Sequence, residues 1–205
     1  MWDAMPTLYD VKPAFQAKLR PLANWLAGAG VTANQVTVAA ALLSIAAGAA
    51  IACWPTASGI FWLLPAVLFV RMALNAIDGM LAREHGQASM LGMFLNEICD
   101  VISDLALILP FALVVPFAPW GVISFALAAF LTEFAGVLGI PAGAGRRYDG
   151  PLGKSDRAAI LGIIAAIIGL GVTLPAWASW LFPVLALLSL VTASNRVRMA
   201  LRAAT

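Results

Sequence analysis

Apolar residues run in long stretches along this chain, and polar residues gather in the gaps and at a few regularly spaced positions inside two of the stretches. The stretches fall at roughly 31–53, 59–83, 90–112, 119–140, 154–174 and 177–199. Each is close to the ~20 residues that a helix needs to cross ~30 Å of hydrocarbon. Proline and glycine mark the gaps, at Trp54-Pro55, Pro116 and Pro119, the segment from Pro141 to Pro151, and Leu174-Pro175. Ahead of them, Leu8, Phe15, Leu19, Leu22, Trp25 and Leu26 are interspersed with Lys12, Lys18 and Arg20. That mixture predicts an amphipathic helix lying in the membrane interface. The expected fold is an all-α integral membrane protein forming a single domain over 1–205. It comprises an N-terminal interfacial helix within 1–30 and a bundle of six transmembrane helices over 31–200.

Charge orients the spans. Lys12, Lys18 and Arg20 precede the first, Arg83 follows the second, Arg146, Arg147, Lys154 and Arg157 surround the fourth connection, and Arg196, Arg198 and Arg202 close the chain. The connections near 54–58, 113–118 and 175–176 carry no charge. By the positive-inside rule both termini are cytoplasmic, as an even number of spans requires. The expected location is a bacterial inner membrane, with the active site facing the cytoplasm. The composition agrees: 62% of residues are hydrophobic and 11% charged, against about 25% charged in a soluble domain. The net charge of +2 gives no reason to expect a nucleic-acid partner. No cleavable signal peptide is expected, because the first 20 residues hold Asp3, Asp10, Lys12, Lys18 and Arg20 without a continuous apolar core. Cys53 and Cys99 lack metal-ligand spacing and fall in opposite leaflets, so no disulfide is expected.

The candidate chemistry lies inside spans 2 and 3. At ~100° per residue, Arg71, Asn75, Asp78 and Ala82 sit at roughly 0°, 40°, 340° and 20°, which is one stripe. Asn96, Asp100 and Asp104 form an i, i+4, i+8 stripe in span 3, with Glu97 one turn from Asp100. Measured from Arg83 and Met90 at ~1.5 Å per residue, Asp78 and Asn96 lie roughly 8–9 Å deep. Asn75 and Asp100 lie roughly 12–15 Å deep, and Arg71 and Asp104 roughly 18–21 Å. Ionisable groups at such depth are costly and usually functional. The matched depth suggests that Arg71 neutralises Asp104 as a structural pair. Asn75, Asp78, Asn96, Glu97 and Asp100 would then surround a cavity open to the cytoplasm. Carboxylate and amide oxygens suit hard divalent cations such as Mg²⁺, Mn²⁺ or Ca²⁺. The alternative is that these residues only hydrogen-bond the two helices together.

The pattern Asn75-x-x-Asp78-Gly79-x-x-Ala82-Arg83-x8-Gly92-x3-Asn96-x3-Asp100 resembles the signature of the CDP-alcohol phosphotransferases. In that family the first and third polar positions, here Asn75 and Asn96, are also aspartates. The stretch from Gly30 to Thr37 is similar to the segment that opens the family's first span, with Ala33 in place of a proline, and Gly153-Lys154 to the start of its fifth. The resemblance implies a phospholipid-biosynthetic transferase. Such an enzyme moves a phosphatidyl group from CDP-diacylglycerol, or another CDP-alcohol, to an acceptor hydroxyl and releases CMP. It implies Asp100 as base and Asp78, Asn75, Asn96 and Asp100 as ligands of one or two Mg²⁺ or Mn²⁺ ions, with Glu97 a substitute ligand. Thr32, Asn34, Gly79, Ala82, Arg83 and Gly92 would border the nucleotide, and a homodimer in contact with membrane lipids is implied. Each asparagine removes one negative charge from the metal site, which leaves a catalytically altered or silent CDP-lipid-binding homologue as an alternative. A small transporter or proton relay is another.

An acceptor pocket is expected from Glu133, Arg146, Arg147, Lys154 and Arg157, whose bases form a possible phosphate-binding edge. The same bases also serve topology and attraction to anionic lipid.

Overall fold

The computed structural model describes residues 8–204, with side chains from residue 14 onward; residues 1–7 of the expected N-terminal segment lie outside the described residues. Among the described residues there are seven α-helices and no strand: α1 Leu8–Gly28, α2 Ala33–Cys53, α3 Leu63–Glu84, α4 Met90–Ile108, α5 Pro119–Leu138, α6 Lys154–Gly169 and α7 Leu181–Ala204. Short 3-10 turns at Ser58–Trp62 and Ala176–Trp180 lead into α3 and α7, and another at Leu109–Leu113 follows α4. Four segments are long and apolar enough to cross a membrane: Ala33–Cys53, Ser58–Glu84, Pro119–Leu138 and Ala176–Ala204. The other two expected spans are less apolar or shorter. Helix α4 carries Glu97, Asp100 and Asp104 and ends where Pro110 cannot donate to the helix ladder. Helix α6 has 16 residues rather than the expected 154–174. It stops because Gly171 adopts φ +74°, with its N–H on Ile168 O and that of Val172 on Ile167 O, a Schellman ending.

The helices divide between two compact units. The first holds the described residues up to Leu43 together with Phe69–Asp100. It begins where α1 ends. Gly30 takes φ +80°, its N–H bonds Ala27 O and that of Val31 bonds Leu26 O at 3.0 Å each. Only glycine takes this left-handed position without strain. Helix α2 then starts with a capping box: Gln35 N–H donates to Thr32 Oγ1 at 3.2 Å and Thr32 N–H to Gln35 Oε1 at 2.9 Å. Ala23, Ala33, Val36, Ile77, Met80 and Leu81 make the buried core of this unit. Helix α1 is clamped to the end of α3 by Arg20 on both oxygens of Glu84, at 2.9 and 3.0 Å, and Asn24 Oδ1 lies 3.0 Å from His85 Nε2. The amphipathic segment is thus a helix with its own tertiary contacts.

The second unit holds Ser44–Leu68 and the described residues from Val101 on. Its apolar core is aromatic: Phe182 packs on Phe111, Phe117 and Phe125 with ring centroids 5.4, 4.8 and 5.8 Å away, and Phe61 meets Phe111 at 6.0 Å. Helices α5 and α7 are tied by Thr132 Oγ1, which lies 3.0 Å from Ser189 O, and by Arg196 Nη1, which donates to Thr132 O at 2.7 Å.

Beside that tie lies a buried ionic network. Glu133 accepts from Arg157 Nη2 at 2.8 Å and from Arg146 Nη2 at 3.1 Å, with Arg196 Nη1 at 3.4 Å. Arg157 Nη2 also reaches Asp104 Oδ2 at 3.0 Å. Removing one partner from a buried ionic group strands the others in a low dielectric. Glu133→Ala should therefore destabilise the detergent-solubilised protein by about 3–5 kcal/mol, read from its thermal unfolding. A variant as stable as the parent would show that the network does not hold α5.

Candidate functional site

A cavity of about 360 Å³ opens in the first unit. Its walls come from the start of α2 (Ala33, Asn34, Thr37), the last turns of α3 (Asn75, Asp78, Gly79, Ala82, Arg83), the connection Gln87–Ser89, and the start of α4 (Gly92, Met93, Asn96). Asn75, Asp78 and Ala82 of the first stripe and Asn96 of the second line this space; 3.6-residue periodicity puts the first three on one face of α3.

The connection after α3 is fixed by Gln87. Its Oε1 accepts from Ala33 N–H at 2.7 Å and its Nε2 donates to Val31 O at 3.3 Å. Ser89 Oγ accepts from Gly92 N–H at 3.0 Å and so caps α4. Two helix N-termini thus border the cavity, and their amide dipoles favour an anion. Arg83 adds a full positive charge. A Cβ on Gly79 would meet its Nη2 at 2.9 Å, and one on Gly92 would meet Asn34 Oδ1 at 2.9 Å. Both glycines make room for polar side chains that face the cavity.

The carboxylate of Asp78 is buried, and Thr37 Oγ1 lies 2.9 Å from its Oδ2 and 3.0 Å from Ala33 O. Asp100 and Glu97 do not line the cavity. Arg71 holds Asp100 by two contacts, Nη2 to the backbone oxygen at 3.1 Å and to Oδ1 at 3.3 Å. Among the described residues no three His, Cys, Asp or Glu side chains assemble as a metal-binding group. Of the expected ligands, one carboxylate, Asp78, and the amides of Asn75 and Asn96 line the cavity. This set fits one oxygen-liganded divalent cation that keeps several waters, as Mg²⁺ does.

Of the residues aligned with the nucleotide, Asn34, Gly79, Ala82, Arg83 and Gly92 line this cavity. Thr32 does not, and its hydroxyl caps α2 instead. Arg71 and Asp104 belong to different units, and each has a partner in its own: Asp100 for Arg71, Arg157 for Asp104. Of the expected acceptor residues, Glu133, Arg146 and Arg157 do meet, in the buried network of the second unit. Arg147 instead holds Asp149 through two hydrogen bonds at 2.8 and 3.0 Å, which keep that carboxyl below the usual carboxylate range. Lys154 opens α6. Thr37, Gln87, Ser89 and Met93 were not foreseen in the cavity, nor Arg196 in the network. Thr37 had a local signal, since it stands one turn after Asn34; Gln87 and Arg196 act across more than 50 residues and had none.

The model of the CDP-alcohol phosphatidyltransferase family matches residues 30–193. The chain is 47% identical over 201 residues to the inner membrane protein YnbA of Escherichia coli, covering 95% of this chain and 96% of that one. It is 32% identical over 196 residues to the phosphatidylinositol phosphate synthase of Mycobacteroides abscessus, covering 91% of this chain and 84% of the relative. Among solved structures, the phosphatidylinositol phosphate synthase of Mycobacterium tuberculosis with CDP-DAG bound superposes with a TM-score of 0.74 at 20% identity, over 89% of this chain and 92% of that one. The same enzyme in complex with manganese and citrate gives 0.73 at 20% identity, over 89% and 88%. The superposition shows a shared fold. With the family model spanning most of the sequence, the chain belongs to the CDP-alcohol phosphatidyltransferase family and is a membrane transferase of phospholipid biosynthesis.

Proposed function

We propose that the cavity of the first unit binds the cytidine diphosphate moiety of CDP-diacylglycerol, or of a related CDP-alcohol, and that the protein passes the phosphatidyl group to an acceptor hydroxyl with release of CMP. The observation that carries this reading is the cavity itself. Arg83 and two helix N-termini favour an anion, and Asp78, Asn75 and Asn96 offer the oxygens for one divalent cation beside it. CDP-DAG and manganese, each present in a structure of the mycobacterial synthase, support the ligand and the ion class.

In this reading Asp78, Asn75 and Asn96 hold a single Mg²⁺ or Mn²⁺, which neutralises charge on the diphosphate. Arg83 and the amides at the start of α2 and α4 bind the nucleotide end and fix its orientation. Asp100 takes the proton of the acceptor hydroxyl. Its contacts with Arg71 set the direction of its carboxylate. The acceptor oxygen bonds to the phosphorus that carries the lipid, the bond from that phosphorus to the bridging oxygen breaks, and CMP leaves. The charge pattern supports six spans with both termini and the cavity on the cytoplasmic side of a bacterial inner membrane, α4 and α6 completing the six. The family resemblance supports a homodimer.

The test is CMP release from CDP-diacylglycerol by the purified protein with Mg²⁺ or Mn²⁺ and a panel of acceptor alcohols. Asp100→Asn should lower kcat by about 10²–10⁴-fold, the usual worth of a positioned base, while leaving CDP-lipid binding intact. Equal loss of binding would remove Asp100 from that role. Asp78→Asn should abolish metal-dependent turnover. Restoring a carboxylate with Asn75→Asp should lower the Mg²⁺ concentration that half-saturates the reaction; an unchanged metal requirement would exclude Asn75 as a ligand.

A further inference from the structure

We propose that Glu133 is a built-in anion that closes the arginine cluster of the second unit to phosphate, so that the acceptor alcohol carries no phosphate group. This rests on the transferase reading above and narrows its substrate.

Three guanidiniums converging on one point make the usual complement of a phosphate, since their planar donor forks match its oxygens. Here Arg157, Arg146 and Arg196 converge at 2.8, 3.1 and 3.4 Å, but on the carboxylate of Glu133. Glu133 is 5% exposed, Arg157 2% and Arg196 1%. A second carboxylate, Asp104, holds Arg157 at 3.0 Å. An incoming phosphate would therefore meet two fixed negative charges before it met a free donor.

Glu133 has little freedom to withdraw. The residue before it is tied on both sides, with Thr132 Oγ1 at 2.8 Å from Ala128 O and 3.0 Å from Ser189 O, and Arg196 donates to Thr132 O at 2.7 Å. The nearby loop is closed in the same manner. Arg147 is engaged by Asp149, which stays ionised because its carboxyl is held below the ordinary range. Arg146 lies over the Tyr148 ring, 4.8 Å from its centroid, in addition to its bond with Glu133. Arg157 and Arg196 retain Nε atoms with no hydrogen-bond partner among the described residues, but these are sealed from solvent and a ligand cannot reach them.

Two measurements on the purified full chain test this. The first is acceptor preference in the CMP-release reaction, with glycerol, inositol and serine set against glycerol 3-phosphate and inositol 1-phosphate. Phosphorylated acceptors should show kcat/KM about 100-fold lower or worse, given the penalty of like charges brought together. The second is thermal stability against increasing inorganic phosphate, with saturating CMP filling the nucleotide cavity. The parent should show no saturable rise, and Glu133→Gln should acquire one. Turnover of a phosphorylated acceptor at a comparable rate overturns the inference and leaves the transferase reading intact. Saturable protection of the parent by phosphate also overturns it, as does a folded Glu133→Gln that gains none. If no acceptor yields CMP, the transferase reading fails, and the phosphate titration still decides whether the cluster is closed. Should Glu133→Gln not fold, the parent's acceptor preference and its response to phosphate decide.

Discussion

A charge carried on an apolar helix is tolerable only where an opposite charge or a hydrogen-bonding dipole meets it, and the polar architecture of this protein follows from that demand. Arg71 bonds both a carboxylate and a carbonyl of Asp100. Arg157 divides itself between Glu133 and Asp104, and Arg196 between Glu133 and the carbonyl of Thr132. Each of these contacts ties together the helices that carry its two partners. The helices that carry the charges are therefore fixed in rotation as well as in position. Apolar packing alone would leave such rotation loose, because every face of a span that looks outward is similarly greasy.

The two polar centres answer the demand in different ways. In the first unit the charges are thinned. Two amides stand where the family has carboxylates, one acidic side chain remains at the cavity, and the positive potential comes from Arg83 and helix ends. Such a site suits an anionic ligand that brings its own countercharge. In the second unit the charges are concentrated, three guanidiniums against two carboxylates, with Glu133, Arg157 and Arg196 buried and Asp104 and Arg146 partly exposed. The first arrangement has room for a guest; in the second the three guanidiniums already converge on a carboxylate.

Much of the helical layout was legible from hydrophobic runs, because a membrane imposes a length that a sequence cannot disguise. Boundaries moved where backbone chemistry intervened, as at Pro110 and Gly171, which stop α4 and α6 early. One wall of the cavity was legible as a stripe, because Asn75, Asp78 and Ala82 follow helical spacing. Its other walls were not. Gln87 joins through a hydrogen bond spanning 54 residues, and no periodicity announces that. Thr32 caps α2, a role that a hydroxyl just before a helix commonly takes and that the family resemblance alone does not reveal. Arg196 reads in sequence as one more cytoplasmic charge, yet it is among the most deeply buried side chains. Counting charges at a helix end cannot separate a base that faces water from one that turns inward.

The hydroxyl of Thr37 stands between two acceptors, Asp78 Oδ2 and Ala33 O, with a single proton for both. A small rotation about its side-chain bond hands that proton from one oxygen to the other. In the proposed site, a ligand that claimed the Asp78 carboxylate would leave the hydroxyl a second acceptor in Ala33 O, so that its proton would not be orphaned. Filling the cavity would then exchange one satisfied arrangement for another, which favours reversible occupancy.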